Sequence, residues 1–157
     1  MKYLPMLILL PAPYVYFFTF FSNFPYWRSL SLIYFVFLFG NMVYAFFLAR
    51  SRCARQLLFW DMLLKLCHIP IYTLIFLMRL VGNIMMIPLM PFMFLFDALL
   101  LLSTSLYGIH GLRLGRREGI FSRKAFVLNI ILHFLFCWDV VSAVFCYVKA
   151  RKSAKLA

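Results

Sequence analysis

Residues 30–49 run for twenty positions without a single charge. At 1.5 Å per helical residue that is about 30 Å, the thickness of the hydrocarbon core of a bilayer. A chain that carries such a run needs a solvent for it, and the rest of the sequence offers no aqueous solution. Of 157 residues, 66% are hydrophobic, and twenty are phenylalanine. Charged residues make up 13%, against roughly 25% in soluble domains. A water-soluble fold of this length lacks the interior to hide so much apolar surface. The expectation is an all-α polytopic transmembrane helical bundle.

Five apolar stretches suggest five spans, at about 3–21, 30–49, 56–80, 89–109 and 125–148, with four spans as the near alternative. Basic loops at 50–55 and 110–124 and a basic tail at 149–157 separate and follow them. The first stretch holds Pro5, Pro11 and Pro13, so its helix should kink or start late. It continues to Phe21 without a small-x-small cleavage signal and reads as an uncleaved span. Ser22, Asn23, Phe24 and Pro25 form a turn signal, and Tyr26, Trp27 and Arg28 an interfacial anchor. The third stretch contains Asp61, Lys65, His68, Pro70 and Arg79. Three charges at the centre of a span cost up to roughly 9 kcal/mol, and its apolar residues return only about 6. It therefore needs neighbours, charge pairing, or a partly interfacial position, such as an amphipathic helix near 56–68. Gly111, Gly115 and Gly119 recur every four residues in a polar segment and read as flexibility. The last stretch has neither Gly nor Pro and reads as one crossing.

The charge pattern resists that topology. The net charge is +12, with only four acidic residues, Asp61, Asp97, Glu118 and Asp139. Five spans with the N-terminus inside put nine positive charges in the cytoplasm and six outside, a weak positive-inside bias. A last stretch that crosses once must leave one of its two flanking basic clusters outside.

Polar residues inside the spans carry what functional signal there is, because an ionisable group in lipid faces the bundle interior or water. At 100° per residue, Asp61, Lys65, His68, Tyr72 and Arg79 fall on one stripe, with Asp61 and Lys65 in the favourable acid-first i,i+4 order. In the last stretch Asn129, His133, Asp139, Ser142, Ala143 and Cys146 make a polar or small half opposite an apolar one. Asp97, the only charge in its span, needs a partner, and Lys65 or His133 can supply one. Asp97, Thr104 and Gly108 align, with Ser103 and Ser105 beside them, in the manner of close helix contact. Asn41 reads as a cross-helix hydrogen bond. The candidate polar cluster is thus Asp61, Lys65, His68, Asp97, Asn129, His133 and Asp139.

No catalytic residues and no cofactor are indicated. Walker A, Gly-x-Gly-x-x-Gly, Gly-x-Ser-x-Gly and His-Glu-x-x-His patterns are absent from the sequence. No His/Cys/Glu spacing suits a metal, and Cys53, Cys67, Cys137 and Cys146 include no Cys-x-x-Cys pair. Nucleic acid is not an expected partner. The basic segments suit anionic lipid headgroups, and the polar faces suit a membrane-protein partner or a second copy. Small size and short loops suit a bacterial cytoplasmic membrane. A non-enzymatic accessory, scaffold or transporter-associated subunit is the leading expectation. A small proton- or ion-driven transporter or channel, and then an intramembrane lipid- or peptide-modifying enzyme, are the alternatives.

Overall fold

The computed structural model describes residues 4–22, 25–48, 53–81, 90–133, 135 and 138–156. These residues contain no strand. Their helices are α1 (Leu4–Leu9), α2 (Ala12–Phe21), α3 (Trp27–Leu48), α4 (Ala54–Val81), α5 (Met90–Arg117), α6 (Arg123–Leu132) and α7 (Trp138–Leu156). Within α3, α4 and α5, the segments Ser29–Phe47, Ala54–Met78 and Met93–Arg117 are long and apolar enough to cross a membrane. The first apolar stretch is shorter, Leu4–Thr19, and breaks between α1 and α2. Pro11 and Pro13 have no amide hydrogen to give to the preceding turn, which accounts for the break.

Side-chain contacts fix the directions of the helices. Tyr34 stacks on Phe96 at 5.4 Å, Asn41 bonds Ser103, and Phe46 stands edge-on to His110, so α3 runs parallel to α5. The start of α4 meets the end of α5, where the Ala54 amide donates to Glu118 Oε1 at 3.4 Å, so these two are antiparallel. Ile8, Thr19, Leu30 and Phe37 share one groove between α1–α2 and α3, which run in opposite directions. A stack of Tyr16, Tyr34 and Phe96, with ring centroids 4.9–5.4 Å apart, joins α2, α3 and α5 in the core.

The segment expected to be a polar loop, 110–124, is helical as far as Arg117. Arg and Leu are good helix formers, and polarity alone does not end a helix. The end comes at Gly119, whose φ of 76° is the left-handed conformation of a C-terminal cap. There the Ile120 amide donates to Gly115 O at 2.8 Å and the Gly119 amide to Arg116 O at 3.2 Å, a Schellman arrangement. Gly111 and Gly115 are accordingly not flexible positions. A Cβ on Gly111 would stand 2.9 Å from Leu58 Cγ, and one on Gly115 would stand 2.7 Å from Phe121. They are where α4 and the α5–α6 turn come close to the backbone of α5.

The last apolar stretch is not one helix. It divides into α6 and α7, and the chain reverses between them. Asn129 and Ser142 are hydrogen-bonded across the reversal. Along α7, Asp139 meets Lys65, and Cys146 packs in the same cluster as Leu58, so α7 runs antiparallel to α4 and back toward α4's first residues. Ala150, Leu112 and Phe121 close that cluster. The ends bearing Arg55, Arg113, Arg116, Arg117, Arg123, Lys124, Lys149, Arg151 and Lys152 thus gather at one end of the bundle. The two basic clusters that flank 125–148 therefore lie at one end of the bundle rather than at opposite ends. Phe134, Phe136 and Cys137, and the basic positions 50 and 52, lie outside the described residues. Residues 56–68 do not form a separate interfacial helix. They are the first half of α4, with Leu57, Leu58, Leu64 and Lys65 fully buried.

Candidate functional site: a buried ion cluster

Pro70 does not interrupt α4, so the stripe drawn from the sequence persists over its described part: Asp61, Lys65, His68 and Tyr72 are all buried. The side chain of Arg79 lies outside the described residues. Lys65 Nζ sits 2.8 Å from Asp61 Oδ1, one helical turn before it, and also bonds Asp139 Oδ1 on α7. Asp61 turns its other oxygen, Oδ2, to His133 Nε2 at 3.2 Å. His133 closes α6, and its Nδ1 faces Ser142 Oγ at 3.1 Å and Asp139 Oδ1 at 3.8 Å. Ser142 Oγ donates to Asn129 Oδ1 at 2.8 Å, and Asn129 Nδ2 donates to Ala125 O at 2.7 Å. Ser105 on α5 donates to the His133 carbonyl at 3.1 Å. Asp61, Lys65, His133 and Asp139 are 0–2% exposed.

Donor and acceptor chemistry settles where hydrogens sit. Ala125 O only accepts, so the Asn129 amide turns its NH2 there and its oxygen to Ser142. Ser142 spends its one hydrogen on that oxygen and must accept at Oγ. His133 Nδ1 therefore carries a hydrogen. Nε2 then faces a carboxylate oxygen with one proton between them, held either as imidazolium with carboxylate or as neutral imidazole with carboxylic acid. Charge leads to the same count. Two carboxylates against one ammonium leave a deficit of one in a dry interior, and that single proton removes it.

Gly108 makes this geometry possible. A Cβ there would lie 2.6 Å from Asp61 Oδ2 and 2.6 Å from His133 Cδ2. Only a glycine on α5 lets the histidine–aspartate pair fit between α4, α5 and α6.

Five of the seven candidates, Asp61, Lys65, Asn129, His133 and Asp139, are thus brought together. His68 and Asp97 stand outside this network. His68 Nε2 donates to Leu9 O at 3.1 Å. That carbonyl would ordinarily receive the amide of residue 13, which is proline, so the histidine fills the gap left by Pro13. Asp97 is buried on α5, about 16 Å along the helix from Gly108. Tyr72 stands within electrostatic range of both Asp97 and Asp139. Lys65 and His133, the partners expected for Asp97, are engaged by Asp61 and Asp139. A second network joins α3 to α5: Asn41 Nδ2 donates to Ser103 Oγ at 2.9 Å, and Tyr107 OH donates to Asn41 Oδ1 at 2.7 Å. Ser142, Ser105 and Gly108 complete the ion cluster, yet their side-chain chemistry alone does not mark them out. Among the described residues no group of three or more His, Cys, Asp or Glu side chains is placed to hold a metal ion.

A family model described as a family of unknown function, DUF6652, matches residues 15–152. The chain belongs to DUF6652. No curated protein and no solved structure matches it. The matched region of this DUF6652 chain takes in α3 to α6 whole, most of α2 and α7, and every residue of the ion cluster.

Proposed function

We propose that the chain is a small multi-pass membrane protein acting as a non-enzymatic accessory or scaffold subunit. In this reading it crosses the bilayer four times, through α1–α2, α3, α4 and α5, and α6–α7 enters and returns. The ten residues of α6 rise about 15 Å, half of a hydrocarbon core of about 30 Å. Residues 138–148 of α7 descend about as far. All the basic ends named above then share the cytoplasmic side, as the positive-inside bias requires. A backbone reversal at mid-depth is tolerated in lipid only where protein satisfies it. Among the described residues, the Ser105 bond to the His133 carbonyl and the Asp139 amide bond to Leu135 O at 2.8 Å support this.

The observation that carries the reading is the closure of the ion cluster: Asp61, Lys65, His133 and Asp139 spend their charges on one another and bolt the hairpin to α4. Their work is then structural, which leaves the outward apolar faces, such as Leu32, Val36 and Phe39 on α3, for lipid or partner helices. Two experiments test this. With Cys53 replaced by serine, cysteines introduced as Ser122→Cys and Arg151→Cys should react with an impermeant maleimide from the same side; labelling from opposite sides overturns the hairpin. Pull-down from native membranes in mild detergent, with quantitative mass spectrometry, should recover a stoichiometric membrane partner or a second copy. A strictly solitary monomer removes the scaffold reading.

The proton between His133 and Asp61 favours a second reading, proton-driven transport. It expects proton flux in proteoliposomes that Asp61→Asn abolishes, and an absence of flux in the unaltered protein dismisses it.

A further inference from the structure

The basic residues at the end of α5 divide into two sets. Arg116 turns toward the hairpin, with its guanidinium 5.2 Å above the Phe126 ring, and Lys149 lies 5.3 Å above Phe121. These cations are placed on aromatic faces. Arg113 and Arg117, with His110 and Leu114, line a cavity of about 310 Å³. Arg113 and Arg117 are four residues apart, an arrangement in which like charges repel. The helix dipole favours basic groups in a last turn but does not call for a cavity between them. Glu118, which follows Arg117 directly, accepts from the Ala54 amide instead.

Two arginines lining one space can offer the paired donors that match a phosphate group. The surface next to His110 is apolar. His110 meets the edge of Phe46, and Phe46 and Phe47 are exposed on the adjoining end of α3. A charged rim above outward-facing aromatic side chains has the polarity of a phospholipid: phosphate at the surface, acyl chain below.

We propose that His110, Arg113 and Arg117 form a discrete binding site for the phosphodiester headgroup of an anionic phospholipid, whose acyl chain lies against Phe46 and Phe47. This goes beyond a diffuse attraction of basic segments to the membrane. It rests on the reading above only in placing the end of α5 at the membrane surface.

The test is native mass spectrometry of the full-length protein in mild detergent, titrated separately with phosphatidylglycerol, phosphatidylcholine and inorganic phosphate. The unaltered protein should retain phosphatidylglycerol in preference to phosphatidylcholine. Arg113→Gln/Arg117→Gln should weaken that retention by roughly ten- to a hundredfold, the loss of two charge-assisted contacts. Arg151→Gln/Lys152→Gln, at the same end but away from the cavity, should leave it unchanged. Arg113→Lys/Arg117→Lys, which keeps the charge and removes the fork, should fall between. Circular dichroism and size exclusion confirm that each variant is folded. Equal retention of both lipids, or equal loss in both glutamine pairs, overturns the site. Inorganic phosphate that displaces the lipid fully and binds as tightly overturns the assignment to a phospholipid. The membrane reading fails separately, if the protein partitions into the aqueous phase on carbonate extraction.

Discussion

Replacing Gly108 by alanine adds one methyl group where the structure leaves no room. The new carbon would lie 2.6 Å from Asp61 Oδ2 and from His133 Cδ2, while comfortable separations between heavy atoms are about 3.5 Å or more. The imidazole has to retreat by about 1 Å. The His133–Asp61 contact, now 3.2 Å, then stretches beyond hydrogen-bonding range. Overpacking of this kind costs about 1–3 kcal/mol. The loss of a hydrogen bond to a charged group adds about 1.5–3 kcal/mol. Alanine's better helix propensity offsets up to about 1 kcal/mol. The expected net destabilisation is about 2–4 kcal/mol. Gly40→Ala is the matched control, because a Cβ at Gly40 meets nothing within 4 Å, so only the propensity gain remains. Both variants are to be melted in the same detergent, followed by circular dichroism and tryptophan fluorescence. Gly108→Ala should melt well below the parent, and Gly40→Ala at or slightly above it. Equal melting temperatures for the two variants would refute the packing of the cluster against α5.

Lys65→Met strips the cation from between two carboxylates and should destabilise by about 3–5 kcal/mol in the same assay. Lys65→Met/Asp139→Asn should recover a clear part of that loss, and strict additivity would argue against a direct pair. Asn41→Leu removes both bonds between α3 and α5 and should cost about 1–2 kcal/mol, with no effect meaning that those bonds do not hold the helices. Nitrogen-15 NMR of selectively labelled histidine should find a hydrogen on His133 Nδ1, and a bare Nδ1 would contradict the donor chain through Ser142 and Asn129.

The pairing of Asp61 with Lys65 was legible because a helix places positions four apart side by side, and the apolar surroundings left them no water. The same arithmetic put Tyr72 on the buried stripe, and Asn41 read as a cross-helix hydrogen bond. The partner of Asp97 was not legible. Proximity between α4, α5 and α7 is a tertiary fact, and Lys65 had two nearer claimants. Nor was the reversal after α6, where no glycine or proline announces it among positions 125–148. The pull is non-local: His133 and Asp139, six residues apart, both reach groups on α4, and one uninterrupted helix cannot serve both contacts. The glycines were misread for a related reason. Spacing every four residues is the same whether a helix packs or a loop bends, and only the arrival of Leu58 and Phe121 distinguishes the two.

The placement of Asp139 has a consequence for biogenesis. Lys65 emerges from the ribosome with Asp61 for company, but its second carboxylate follows 74 residues later. Before α7 is made, Lys65 and Asp61 balance each other on α4, and Asp139 arrives as the charge in excess. The extra proton shared by His133 and Asp61 is therefore needed only once α7 has come to lie beside α4.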